Sequence, residues 1–253
     1  MKILLINAPY HFPDPAVHRS ELLGIEYLSA MLRESGHSVD IYDPTFVTPE
    51  KLSDNLYYYG VADDVLINKI KNCSPDVVGI SCHYSFAAKE SYNVAHLAKT
   101  VNKNIITVIG GLFVSVYKQK ALVECADIDY ALIGESELSL IDLLNNKSKE
   151  TVDGLVYRLG NDILVNTKLN FITNLDSLPF PDRDNVNITQ YMHSCADKKL
   201  YGLGFKPTLS LLTSRSCPYH CSFCNMWLVH GKKWRARTVD NVIAEIDLIV
   251  NKS

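Results

Sequence analysis

The chain has 253 residues, with 25 lysines and arginines against 28 aspartates and glutamates, for a formal net charge of -3. Hydrophobic residues make up 47% and charged residues 21%, the mix of a soluble globular protein able to bury a sizeable core without cross-links. This balance excludes a global basic field for nucleic acid or anionic lipid, and no apolar run approaches the roughly 20 residues that span a bilayer. The opening stretch, Met1 to Asn7, is too briefly apolar for a signal peptide, so a cytoplasmic protein is expected.

Taken in chain order, Ile3–Ile6 reads as a strand ending at Asn7-Ala8-Pro9. Leu22, Ile25, Leu28, Met31 and Leu32 recur at helical spacing, and Gly36 is a suitable stop. A strand at Val39–Tyr42, a helix at Val65–Ile70 and a strand at Val77–Ser81 follow. Ala88–Thr100 is helical in pattern, Ile105–Ile109 is strand-like, and Tyr130–Ile133 is a strand meeting Gly134-Glu135. A helix through Leu138, Ile141 and Leu144 closes this block. Strands rich in Ile and Val that alternate with helices predict an α/β fold, a Rossmann-like parallel sheet with helices on both faces. Ligands of such sheets sit beyond the carboxyl ends of the strands, where this chain carries Asn7, Ser81, Gly110, Gly111 and Gly134.

From Thr151 the period changes. Gly154–Arg158 and Ile163–Val165 around Gly160-Asn161-Asp162 read as a β-hairpin. Leu178-Pro179-Phe180-Pro181-Asp182 reads as a linker, because two prolines remove backbone donors. A strand is expected at Leu209–Thr213. A last helix carries Val239, Val242, Ile243, Ile246, Ile249 and Val250 on one face, with Thr238 as N-cap. The expected division is 1–147, 148–206 and 207–253.

Seven cysteines are present. Cys73, Cys82, Cys125 and Cys195 are scattered and read as small buried hydrophobes. Cys217, Cys221 and Cys224 instead crowd one loop at Cys-x-x-x-Cys-x-x-Cys spacing. Three thiolates from one loop suit a 4Fe–4S cluster, which normally takes four, and leave one iron open. A zinc site completed by His220 or His230 is an alternative, although no second Cys-x-x-Cys exists. A redox pair of Cys221 and Cys224 is another, and it leaves Cys217 unexplained.

The loop resembles the radical S-adenosylmethionine superfamily, whose hallmark is this spacing with an aromatic residue before the last cysteine, here Phe223. The resemblance implies that Cys217, Cys221 and Cys224 ligate three irons and that the fourth chelates S-adenosyl-L-methionine. It also implies that Phe223 packs near the adenine and that reductive cleavage yields a deoxyadenosyl radical. Lys233–Val242 looks like the family's basic and aromatic run into the first barrel helix, although Lys232, Lys233, Arg235 and Arg237 equally suit a solvated turn.

The order of sheet block, hairpin, linker and cysteine loop resembles the cobalamin-binding subclass. The matching segments are Asn7-Ala8-Pro9, Gly24–Leu28, Val78–Ser81, Gly110-Gly111 and Gly134-Glu135. In that subclass such loops surround the corrin, which implies cobalamin contacts at Ser81, Gly110, Gly111, Gly134 and Glu135. Bare glycine backbone suits the close approach of a flat macrocycle, while Glu135 and Glu137 also suit a first helical turn. Two features depart from the pattern. Leu112-Phe113 stands where the subclass often has Pro-His. The Asp-x-His-x-x-Gly motif is absent, which argues against a histidine-ligated cobalt but not against cobalamin.

The implied fold therefore ends in the first βα unit of a truncated (β/α) radical barrel, since a full barrel needs roughly 200 residues. The implied reaction is methyl transfer to an unactivated carbon of a small-molecule substrate, with an electron donor such as flavodoxin or ferredoxin and with no membrane or nucleic-acid partner. A non-catalytic corrinoid and iron–sulfur binding module is the alternative. A third reading is a radical enzyme that does not use cobalamin.

Overall fold

The structure, a computed structural model, describes residues 1–15, 19–193, 199–200, 203–204, 208–219 and 221–252. Its first half runs β1 (Lys2–Asn7), β2 (Tyr10–Phe12), α1 (Leu23–Glu34), β3 (Ser38–Tyr42), β4 (Glu50–Ser53), β5 (Leu56–Tyr59), α2 (Asp63–Cys73), β6 (Val77–Ser81), α3 (Ala88–Val101) and β7 (Ile106–Gly110). It continues through α4 (Leu112–Tyr117), α5 (Lys120–Glu124), β8 (Tyr130–Leu132), α6 (Glu137–Leu144), β9 (Leu155–Leu159) and β10 (Asp162–Val165).

Seven of these strands form one sheet in the order β3-β1-β6-β7-β8-β9-β10. The first five are parallel, and β9 and β10 add antiparallel at one edge. Alternation along each strand divides the apolar side chains between two cores. Leu4, Ile6, Val78, Ile80 and Ile109 face α2, α3, α4 and α5 through Ile70, Val94, Phe113 and Leu122. Ile3, Leu5, Val39, Val108 and Leu132 face α1 and α6 through Ile25, Leu32, Leu140 and Leu143. Helices therefore cover both faces of the sheet, as the sequence expects. The hairpin, which the sequence sets apart, hydrogen-bonds to β8 and extends the same sheet.

Two features escape the sequence reading. Tyr10–Phe12, Glu50–Ser53 and Leu56–Tyr59 form a small antiparallel sheet in the order β2-β5-β4. The stretch after Gly111 also holds two short helices, α4 and α5. The proline-rich linker is not loose. Leu175 and Leu178 bury against Tyr27, the Asp182 amide donates to the Glu26 carbonyl at 3.2 Å, and Ser29 Oγ donates to the Asp182 carboxylate at 2.6 Å.

The second half runs α7 (Ile188–His193), β11 (Lys199–Leu200), β12 (Leu203–Gly204), β13 (Ser214–Arg215), α8 (Met226–His230), β14 (Arg235–Ala236) and α9 (Val239–Lys252). The strand expected at Leu209–Thr213 falls instead on Ser214–Arg215, which pairs antiparallel with Arg235–Ala236. No described helix is long and apolar enough to cross a membrane.

Candidate functional site

The parallel strand order changes direction between β1 and β6: β3 lies on one side of β1, and β6, β7 and β8 follow on the other. At such a switch point, a doubly wound sheet usually takes its ligand in the crevice beyond the carboxyl ends of the strands. Asn7, Ser81 and Gly110 come into register across β1, β6 and β7 at this edge. The Ala8 amide donates to the Ser81 carbonyl at 3.2 Å and the Cys82 amide to the Gly110 carbonyl at 2.9 Å, so the edge is ordered by backbone bonds. An aromatic shelf flanks the crevice. Tyr84 and Phe86 stack at 4.9 Å, Tyr10 meets Phe86 edge-on at 5.8 Å, and Tyr10 stacks on Tyr59 at 5.0 Å. Tyr84 and Phe86 remain exposed.

The glycines here have roles within the protein. Gly111 has φ +106, and a Cβ there would sit 2.5 Å from the Cys82 carbonyl oxygen. Gly134 has φ +74 and would push a Cβ to 3.2 Å from the Val229 carbonyl. Both positions demand glycine, for backbone conformation and close packing. A Cβ on Gly110 would meet nothing closer than 3.5 Å, so that strand end lies open.

The cysteine loop is closed at its base. Ser216, at φ +70, donates its hydroxyl to the Gly231 carbonyl at 2.6 Å. Cys217, Cys221 and Cys224 are free thiols, with Cys221 exposed and the other two half-buried. The Cys224 amide donates to the Cys221 carbonyl at 3.0 Å, and Phe223 is 86% exposed. Among the described residues no three His, Cys, Asp or Glu side chains are gathered in a metal-binding group. His220 and Cys195 lie outside the described residues, whereas Cys73, Cys82 and Cys125 are buried, as expected. Burial pushes the Cys73 and Cys82 thiols up to about 11.

Immediately after Cys224, α8 packs against α4 and lays its Val229 carbonyl against Gly134. The cysteine loop and the strand-end edge are thereby neighbours, and two buried ionic clusters hold them together. In the first, Arg235 reaches the Glu135 carboxylate with two nitrogens, at 3.0 and 2.7 Å. His230 Nδ1 lies 3.0 Å from the same group, and the Ile172 amide donates to it at 3.1 Å. Arg215, two residues before Cys217, binds Glu137 at 2.7 Å and lies 3.5 Å from Glu135. Burial alone would raise the Glu135 pKa, but the bonds from His230 and Arg235 and the charge of Arg215 outweigh it and hold the carboxyl at about 2. Glu135 was expected beside the corrin; both of its oxygens are committed to protein donors.

In the second cluster, Arg183 bridges Glu21 at 2.5 Å and Glu245 at 2.6 Å and donates to the Ser210 carbonyl at 3.0 Å. Arg237 pairs with Glu245 and donates to the Leu212 carbonyl at 3.0 Å. Glu26 is fully buried beside this cluster, and neither carboxyl oxygen has a hydrogen-bond partner among the described residues. Burial, reinforced by the neighbouring Glu21, pushes its pKa up to about 9, so it is protonated at neutral pH. Of the basic run, Arg235 and Arg237 are thus buried anchors, while Lys232 and Lys233 stay exposed. Nothing local in the sequence marks Arg183, whose partners Glu245 and Glu21 lie 62 and 162 residues away.

Residues 17–144 match the B12-binding domain, which is half of the chain. The chain belongs to the B12-binding domain family. Its three-cysteine loop carries the spacing that resembles the radical S-adenosylmethionine superfamily. It is 32% identical over 258 residues to an uncharacterized methyltransferase of Pyrococcus horikoshii, covering 98% of this chain and 50% of that one. It is 28% identical over 281 residues to the cytidylyl-2-hydroxyethylphosphonate methyltransferase of Streptomyces wedmorensis, covering 97% and 51%. Its fold matches the radical S-adenosylmethionine methyltransferase TsrM of Kitasatospora setae, a structure with cobalamin and a [4Fe-4S] cluster bound, at a TM-score of 0.65 and 16% identity. That match covers 99% of this chain and 46% of TsrM. The chain therefore spans about half the length of the relatives it matches.

The B12-binding family's switch-point crevice suits a broad, flat ligand here: the Gly110 strand end is open, Ser81 is half-exposed, and the aromatic shelf offers apolar wall. The donor set of the loop, three free thiols, is of the soft type that iron–sulfur clusters take.

Proposed function

We propose that this chain is the cofactor-binding half of a cobalamin-dependent radical S-adenosylmethionine methyltransferase that acts on an unactivated carbon of a small-molecule substrate. One observation carries the reading: α8, directly after Cys224, lies against α4 and Gly134 at the ligand edge of the sheet. In this reading Cys217, Cys221 and Cys224 hold three irons of a 4Fe–4S cluster, and Phe223 covers the adenine of S-adenosyl-L-methionine. Ser81, Gly110, Gly111 and Gly134 border the corrin. Glu135 acts one step back, anchoring Arg215 and Arg235 and with them both ends of the loop. Bound there, the groups supply one-electron chemistry and methyl carriage, while the protein supplies orientation and shelter from water. The proposal includes the division into 1–147, 148–206 and 207–253, a cytoplasmic location, and a flavodoxin- or ferredoxin-type electron donor. The names of the two methyltransferase relatives support the reaction type.

Anaerobic reconstitution tests it: the chain should take up about four irons and four sulfides and, after desalting, retain the visible bands of added hydroxocobalamin. A colourless, zinc-loaded protein contradicts the proposal. A second reading is a module that binds corrinoid and cluster without turnover. Formation of deoxyadenosine by the 253-residue chain itself contradicts that second reading. A protein with a full cluster and no retained corrinoid points to the third, a radical enzyme without cobalamin.

A further inference from the structure

Charge is unevenly spread along the chain. Residues 198–239 hold eight lysines and arginines and no aspartate or glutamate, so all 28 acidic residues lie outside this stretch. The structure sorts its described cations. Arg215, Arg235 and Arg237 are buried in ion pairs with Glu137, Glu135 and Glu245. Lys232 and Lys233 are exposed, and neither pairs with a carboxylate among the described residues. Lys232 Nζ instead lies 5.4 Å from the centroid of the Trp227 ring. That ring is itself exposed, as is the neighbouring Met226. A cation–π contact at an exposed site orients the ammonium and leaves its charge available.

This patch, two ammonium groups beside an apolar centre, borders the cysteine loop from both sides. Met226 follows Cys224 by two residues. The Gly231 carbonyl, directly before Lys232, accepts the hydroxyl of Ser216, directly before Cys217, at 2.6 Å. Helix α8 touches the strand-end edge through Val229 and leaves Met226 and Trp227 to solvent. The chain as a whole carries a net charge of -3. An acidic protein is therefore repelled by the surface at large and steered toward a face whose cations stand unpaired.

We propose that Met226, Trp227, Lys232 and Lys233 form the docking surface for an acidic one-electron carrier protein that reduces the cluster held by Cys217, Cys221 and Cys224. The inference rests on the radical reading and adds the place where its reductant binds. One electron leaves the carrier, which for a flavin passes from anionic hydroquinone to neutral semiquinone, and enters the oxidised cluster; no bond forms or breaks. A small apolar centre with a charged rim suits a redox encounter that must release its partner after each electron. Lysine suits it too, since a strongly hydrated ammonium on a flexible stem attracts without locking into a fixed geometry.

The test titrates oxidised flavodoxin, an acidic flavin carrier, into the reconstituted chain by calorimetry, and follows cluster reduction by flavodoxin hydroquinone in stopped flow. Wild type should bind, and rising salt should weaken the complex. The double variant Lys232→Glu/Lys233→Glu should bind about tenfold more weakly and accept electrons correspondingly more slowly, while Lys232→Arg/Lys233→Arg keeps both properties. Lys71→Glu/Lys103→Glu makes the same charge change at two exposed positions near the opposite end of the strands and should leave both unchanged. Photoreduced deazaflavin, a small reductant that needs no docking, should reduce every variant at the wild-type rate, and unfolding midpoints should match. Absent binding, or binding indifferent to salt or to the Lys232 and Lys233 charges, overturns the docking surface. Self-association of the chain that the glutamate variant abolishes overturns it as well, by giving the patch to a second copy. A chain that takes up no cluster overturns the radical reading itself.

Discussion

The strand-end edge and the cysteine loop sit side by side yet are built by different physics. The edge rests on two continuous apolar cores: Ile80 is 2% exposed and Leu4 fully buried. The loop half inverts that pattern. In α9 the fully buried residue is Glu245, while Ile243 is 49% and Ile246 42% exposed. Apolar burial makes the first region, and charge pairs fasten the second to it. The difference teaches that the cysteine loop is placed by a few specific contacts, each of which can be removed singly, whereas the strand ends are placed by a whole sheet.

The largest expected effect separates the regions by cofactor. Cys221→Ala should abolish the iron–sulfur chromophore while leaving corrinoid uptake at the wild-type level; joint loss of both would break the comparison. Next is Arg183→Met, which leaves the buried Glu21 carboxylate without its cationic partner while Glu245 keeps Arg237. Removing one partner of a buried ion pair costs about 3–5 kcal/mol, read as a lowered urea midpoint. A near-neutral result would mean that the second cluster does not fasten α9. Gly111→Ala should cost about 1–3 kcal/mol through its left-handed backbone, added to its clash with the Cys82 carbonyl, and should weaken corrinoid retention more than cluster uptake.

A fourth expectation concerns pH. Glu26 has a folded-state pKa raised to about 9, so the folded chain holds a proton that the unfolded chain releases near 4.5. Its contribution is fully present below pH 4.5 and is lost as pH rises toward 9. Glu135, held at about 2, behaves oppositely: its contribution is present above pH 4.5 and is lost as pH falls toward 2. Unfolding free energies measured from pH 5 to 9 should decline in wild type and flatten in Glu26→Gln; an equal slope in both would refute the assignment. The smallest effect belongs to Ile246→Ala on the open face of α9, expected to stay within about 0.5 kcal/mol, against about 2–5 kcal/mol for Ile80→Ala in the core.

Much of the first region was legible in the sequence. Runs such as Val77–Ser81 and Ile105–Ile109 are short, β-branched and bounded by turn residues, and they emerge as β6 and β7. The cysteine spacing marked the loop with no structural help. What stayed hidden is tertiary. Tyr10–Phe12 pairs with a strand some forty-five residues later, which no local pattern announces. The strand shifted from Leu209–Thr213 to Ser214–Arg215 because its partner is the basic run at Arg235–Ala236. The apolar stripe of α9 correctly announced a helix and gave the wrong buried face, since Glu245 turns inward to meet Arg183 and Arg237.

The central claim is that the two regions present their cofactors to one shared edge. Electron paramagnetic resonance of protein carrying both cob(II)alamin and the reduced cluster tests it directly. Two unpaired spins at a common edge should broaden and split one another, whereas spectra that simply add, as if recorded from two separate samples, would contradict the account.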